Sequence, residues 1–190
     1  MNITELERDI KKELRASMNG ILSARMREAG MPFRLIFGVE LPRLQNIAKD
    51  FPCDANLANH LWEQNIRETR LLAIMLMSPE AFTPETANAW AETILTAEEA
   101  QIMAMLLLSR TKHAKETSMK WLETGEPLPC TCACLCLHHL LVQDVVFSKV
   151  EKQFITECTS HMIPTANLHL KKAIQTLTDT LNRKKVQNNS

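Results

Sequence analysis

Residues 36–77 read IFGVELPRLQNIAKDFPCDANLANHLWEQNIRETRLLAIMLM. The segment holds a turn, a helix opened by Pro42, a helix capped by Asp54, and a third helix. The apolar positions of that third helix are Ile66, Leu71, Leu72, Ile74, Met75 and Leu76. Two helix–turn–helix units of this size cannot bury their apolar faces alone and need further units stacked on either side. The rest of the chain is therefore expected to supply more layers of an α-solenoid, and the question becomes what its inner groove holds.

Outward from this stretch the same pattern continues. Ile3, Leu6, Ile10 and Leu14 recur at helical spacing and predict a helix over 3–18; a second over 21–29 is stopped by Gly30 and Pro32. Residues 31–41 form a loop in which Gly38 marks a tight backbone position. Pro42 opens a helix to about Phe51, and the Asp54-capped helix carries Leu57, Leu61 and Trp62. The third helix ends at Ser78-Pro79.

Thr83-Pro84-Glu85 opens a helix through Trp90 to Leu95. Thr96 and Glu99 have the spacing of a capping box for a helix reaching about Leu108. A helix over 112–122 is closed by Gly125, Pro127 and Pro129. Residues 130–142 are apolar nearly all round and predict an interior helix. Helices over 145–158 and 168–183 complete about eleven of ordinary length.

Nothing alternates at period two, so no sheet is expected. The fold class is all-α, a HEAT-like α-α superhelix of stacked antiparallel helix pairs, with a four-helix bundle as the alternative. A single domain is expected over 1–185, with a frayed tail over 186–190.

Composition narrows the class. The chain has 190 residues, 45% hydrophobic and 23% charged, with 4 Gly and no Tyr. That is one soluble, helix-rich domain rather than a disordered segment. No run approaches the roughly 18 apolar residues of a membrane span. The amphipathic N-terminus lacks the apolar core of a signal peptide, so a cytoplasmic location is expected, with the 6 cysteines reduced.

Net charge is zero but unevenly spread. Residues 1–50 carry 9 Lys/Arg against 7 Asp/Glu, 51–109 carry 2 against 8, and 110–190 carry 11 against 7. DNA contacts would have to come from the two ends, across an acidic middle.

Phe37-Gly38-Val39, Pro42, Leu44, Ile47-Ala48-Lys49, Leu61-Trp62, and Glu68 with Arg70, Leu72 and Ala73 together resemble the AlkD-like DNA alkylation-repair proteins. Lys172-Ala173-Ile174 is a shorter match to a later helix of that family. The resemblance implies a HEAT-like solenoid and relatives that include glycosylases of alkylated purines. These matches are mainly turn and packing residues, so they speak for the scaffold first.

The resemblance also implies where chemistry would sit. The family pattern places a tryptophan and, one turn later, an aspartate on the helix after Thr96. Here those positions hold Ala97 and Gln101. Loss of an N-alkylated base leaves positive charge on the sugar, which a carboxylate stabilises and Gln101 cannot. Thr176 stands near the family's second aromatic, and Thr131 and Cys132 stand where paired arginines are expected. Gln101 and Glu98 are the catalytic candidates, and Glu99 is read as a capping carboxylate.

The reading is therefore a DNA-binding, repair-related protein whose alkylpurine glycosylase activity is weak or absent, holding duplex DNA in a concave groove. Arg110, Lys112, Lys115, Lys171 and Lys172 are the DNA-contact candidates, with Lys120 beside them and Lys112 and Lys115 sharing a helix face. The alternative is a non-enzymatic scaffold that holds a protein partner, which the acidic middle favours.

No cofactor and no metal are expected. Cys130, Cys134 and His138 share a stripe, and Cys158 or His161 could join them. But no CxxC spacing is present, and small apolar packing explains the run.

Overall fold

The computed structural model describes the backbone of residues 2–187 and the side chains of residues 2–184. Among these, eleven α-helices and one 3-10 turn account for the secondary structure, with one isolated parallel bridge, Leu35 to Ile66. The chain divides into two compact units, Met1–Phe82 and Thr83–Ser190. No helix of the described residues is long and apolar enough to cross a membrane.

The first unit holds α1 (Ile3–Ala16), α2 (Gly20–Glu28), α3 (Leu41–Lys49), α4 (Ala55–Trp62) and α5 (Arg67–Leu76). Short polar side chains start three of them: Asn2 accepts from Thr4 N–H, Asn19 from Leu22 N–H, and Asp54 from Leu57 N–H. The Asn19 cap explains why α1 ends before the expected 18. Asn19 belongs to the start of α2 rather than to the end of α1.

Glu7 ties α1 to the end of α4, with one oxygen 2.8 Å from His60 Nε2 and the other accepting from Gln64 Nε2 at 3.0 Å. Ile10, Leu14, Leu44, Leu57, Leu61, Leu71 and Leu72 fill the core of this unit.

At the centre of the first unit lies a charged network that the apolar reading of residues 66–77 did not include. Arg67, Glu68 and Arg70 are all buried. The Glu68 carboxylate accepts the backbone N–H groups of Phe37 at 2.9 Å, Gly38 at 2.9 Å and Val39 at 3.3 Å. Arg67 Nη1 donates to Glu68 at 2.9 Å and to the Val39 carbonyl at 3.0 Å. A buried ion pair offsets its desolvation only when its other polar atoms are also bonded, and here neither residue has a buried side-chain nitrogen or oxygen without a hydrogen-bond partner.

Arg70 lies 3.8 Å over the Trp62 ring and donates to the Trp62 carbonyl at 2.8 Å. On the other side of the loop, Ser23 Oγ donates to the Ile36 carbonyl at 2.6 Å and Asn19 N–H to the Phe37 carbonyl at 3.0 Å. Residues 36–39 are thereby pinned between α2 and α5.

The second unit holds α6 (Pro84–Ala91), α7 (Ala97–Leu106), the 3-10 turn Leu108–Arg110, α8 (Ala114–Thr124), α9 (Pro127–Val142), α10 (Lys149–Met162) and α11 (Leu168–Gln187). Thr96 and Glu99 form the expected capping box; the Glu99 carboxylate also accepts from Leu95 N–H at 2.7 Å. Gly125, at φ +71°, ends α8.

Helix α9 begins three residues earlier than its apolar run suggests. Pro127 and Pro129 do not close α8; they occupy the first turn of α9, where a missing N–H costs nothing. Helix α10 begins later than expected, because Asp144 takes a left-handed φ of 61° and Ser148 with Glu151 forms a second capping box. Helix α11 continues past the expected end at 183 to Gln187. Of the tail expected to fray, residues 188–190 lie outside the described residues.

Candidate nucleic-acid interface

Helix α9 is the middle of the second unit, packed against α7, α8 and α11. Cys130, Thr131, Cys132, Ala133, Cys134, Cys136, Leu137, Leu140 and Leu141 are buried. Beyond the first-turn Pro127 and Pro129, what remains toward solvent is a line of Leu128, Leu135, His138, His139 and Val142. This surface of α9 carries no arginine or lysine. Thr131 and Cys132, the positions matched to the arginine pair, lie inside the unit.

The thiols are held protonated. Burial pushes the Cys132 thiol well up and the Cys134 thiol up, and it pushes Cys136 up to about 12. Burial also raises Cys130, whose Sγ lies 3.3 Å from the Trp121 carbonyl. Among the described residues no group of three or more His, Cys, Asp or Glu side chains could hold a metal ion. A nucleophilic or ligating thiolate is not what this environment favours.

The surface of α7 runs through Ala97, Gln101 and Met105, with Gln101 exposed. Glu98 is half-buried, and Glu99 is fully buried in the capping box. The α7 positions that the resemblance matches to a tryptophan and an aspartate therefore hold a methyl group at Ala97 and an amide at Gln101, with the half-buried Glu98 carboxylate beside them.

On α11 a polar ladder runs Lys172, Thr176, Thr180, Arg183. Thr176 Oγ1 donates to the Lys172 carbonyl at 2.9 Å and Thr180 Oγ1 to the Thr176 carbonyl at 2.9 Å. Arg183 Nη2 donates to Thr180 Oγ1 at 3.3 Å, and His138 Nδ1 lies 2.9 Å from the same oxygen. The single Thr180 hydroxyl proton is spent on the Thr176 carbonyl, so His138 carries its proton on Nδ1 and donates it. Burial first, then His139 and Arg183, lower the His138 pKa; burial lowers that of His139. Sequence spacing offered no signal for this contact, since its partners are 42 residues apart.

The cation candidates separate into two kinds. Arg110, Lys112, Lys171 and Lys172 are exposed, and none enters a salt bridge among the described residues. Lys115 is engaged: its Nζ lies 2.7 Å from Glu151 and 5.1 Å from the Phe147 ring centre. That pairing holds the Glu151 carboxyl below its usual range. Lys112 lies in the turn before α8, so it does not share a helix face with Lys115. Lys120 is paired with Glu116 at 2.9 Å.

The model of the family described as DNA alkylation repair enzyme matches residues 10–174 of this chain. The chain belongs to that family. No curated protein matches it in sequence. A solved structure, described as a new family of proteins related to the HEAT-like repeat DNA glycosylases with affinity for branched DNA structures, is similar at a TM-score of 0.79 and 20% identity. The match covers 92% of this chain and 74% of the other. At that identity the likeness is one of fold, and it makes this member of the alkylation-repair family an all-α, HEAT-like superhelix rather than a four-helix bundle.

Proposed function

We propose that this chain binds DNA through backbone phosphates without excising bases. The observation that carries the reading is on α7: Ala97 and Gln101, which the resemblance matches to the excision residues, offer a methyl group and an amide, while Glu99 is consumed as a helix cap and Glu98 is the carboxylate that the test must exclude. Exposed cations at Arg110, Lys112, Lys171 and Lys172 supply sequence-independent attraction. Arg183, exposed at the end of the α11 ladder, adds a further cation there, while the Thr176 and Thr180 hydroxyl protons are held by backbone carbonyls of the same helix. Family membership and the branched-DNA affinity of the structural relative support DNA as the ligand class and make a junction worth testing beside plain duplex.

The test is fluorescence anisotropy with duplex and four-way-junction DNA across a salt series, run beside an assay for release of 7-methylguanine and 3-methyladenine from methylated DNA. Binding that weakens steeply with salt, without base release, is expected. Absence of binding even at low salt overturns the reading. Base release that is lost in Gln101→Ala or Glu98→Gln overturns its second half.

A further inference from the structure

A cavity of about 840 Å³ in the second unit reaches Asn167 at the start of α11, and two of the three charged side chains in its lining are acidic. It opens between α6, α8 and the first turn of α9. Its apolar lining is Trp121, Ala91, Ile94, Pro127, Leu128 and Pro129. The Trp121 indole is fixed, buried to 4% exposure and donating from Nε1 to Asn88 Oδ1 at 2.8 Å, so it forms the floor of the cavity.

The charged lining is Glu92, Glu126 and Lys120. Lys120 is matched by Glu116, whereas Glu92 and Glu126 are exposed and form no salt bridge among the described residues. The cavity therefore presents two uncompensated negative charges around an apolar floor.

This chemistry selects its occupant. A helix N-terminus ordinarily attracts anions through its free N–H groups, but two of the first three residues of α9 are prolines and lack them. Glu126 at the cap adds a like charge. A phosphate is excluded on both counts. The size suits one or two large apolar side chains, and the rim suits a flanking cation.

The geometry points to a docking site for a peptide segment of a partner protein, carrying an apolar anchor residue flanked by lysine or arginine. The anchor seats against Trp121 and Leu128, and the cation meets Glu92 and Glu126. This goes beyond the DNA reading and does not depend on it, because the contacts it uses, Trp121, Leu128, Glu92 and Glu126, are distinct from Arg110, Lys112, Lys171 and Lys172.

The experiment starts with selection of displayed random dodecamer peptides on the full chain. Enriched peptides are then synthesised and titrated against wild type, Leu128→Lys and the Glu92→Gln/Glu126→Gln double variant. The indole N–H resonance of Trp121 is followed by NMR, assigned with Trp121→Phe. The expected result is a consensus of one apolar anchor beside basic residues, a shifted Trp121 indole, and roughly tenfold weaker binding to Leu128→Lys. The double glutamine variant, a surface change that leaves the core intact, should bind several-fold more weakly with a flatter salt dependence.

Failure to enrich a basic consensus overturns the assignment, as does a consensus whose binding is the same in all three proteins. A four-way junction that shifts the Trp121 indole also overturns it, by making the cavity part of the DNA surface. The DNA anisotropy assay on the same variants separates the two readings, since neither variant should weaken DNA binding.

Discussion

The Glu68 carboxylate accepts the Gly38 N–H at 2.9 Å, joining the first turn of α5 to a loop 30 residues earlier. With Phe37 and Val39 also donating to Glu68, one fully buried side chain determines the path of the loop between α2 and α3. Glu68→Gln should be severely destabilising. Its NH₂ group cannot accept from backbone N–H, and Arg67 is left with an uncompensated buried charge. The expected loss is about 3–5 kcal/mol by urea denaturation. Glu80→Gln, at an exposed position, should fall within about 0.5 kcal/mol of wild type. A small effect at Glu68 would mean that the loop is held by something else.

Two glycines with nearly the same backbone conformation allow strain to be separated from crowding. Gly38 has φ +75° and Gly30 has φ +79°. A Cβ at Gly38 would stand 2.4 Å from the Asn19 carbonyl and 2.6 Å from the Ser23 nitrogen, whereas one at Gly30 would meet nothing within 4 Å. Gly30→Ala should cost only the left-handed penalty, about 1–2 kcal/mol. Gly38→Ala must also push α2 away from the loop, and should lose several times as much or fail to fold. Equal midpoints for the two variants would show that the loop and α2 do not pack this closely.

These positions show what a sequence yields and what it withholds. The Asp54 cap, the Thr83-Pro84 start and the Thr96–Glu99 box were legible because each is completed within four residues. Gly38 was legible as a tight turn, but not the neighbour that makes it tight. Glu68 stood out only through the resemblance, and its pairing with Arg67 was not legible: both look like ordinary first-turn charges, and their partners come from residues 37–39.

Pro127 and Pro129 misled because proline ends one helix and begins another with the same local signature. At the candidate interface, the all-round apolar character of residues 130–142 identified an interior helix. It could not say that Lys115 is taken by Glu151, a contact across two helices.

Thiol chemistry should report the packing of α9 directly. Cys53 is exposed, Cys158 is half-buried, and Cys130, Cys132, Cys134 and Cys136 are buried. With a disulfide reagent near pH 8, Cys53 should react first and Cys158 more slowly. The four α9 thiols should react only as fast as the protein unfolds, because burial both raises their pKa values and excludes the reagent. Rapid modification of any of the four in native protein, located by mass spectrometry, would contradict an interior α9.

The His138 and His139 pair gives stability a defined pH dependence. Both pKa values are lowered from 6.5 in the folded chain, so the unfolded chain takes up protons first as pH falls. Their contribution is intact above pH 6.5 and is lost as the pH drops through 6.5 toward the lower folded values. The carboxylates with depressed values, such as Glu7, act only below 4.5, so the two windows separate. Thermal midpoints should fall from pH 7.5 to 5.5 in wild type, and the fall should flatten in His138→Gln/His139→Gln. An unchanged slope in that variant would assign the acid sensitivity elsewhere.

Salt dependence can tell engaged cations from available ones. Each lysine or arginine that neutralises a phosphate adds about 0.9 to the slope of log affinity against log salt. If Arg110, Lys112, Lys171 and Lys172 contact the backbone, replacing any one by alanine should weaken duplex binding and lower the slope by about 1. Lys115→Ala should leave the slope where it is, because its ammonium is already bonded to Glu151 at 2.7 Å and releases no counterion on binding. Lys115→Ala should instead lower the thermal midpoint slightly, since it removes an ion pair between α8 and α10. A slope that drops for Lys115 and not for Lys171 or Lys172 would move the DNA surface from α11 to the α8–α10 side of the unit.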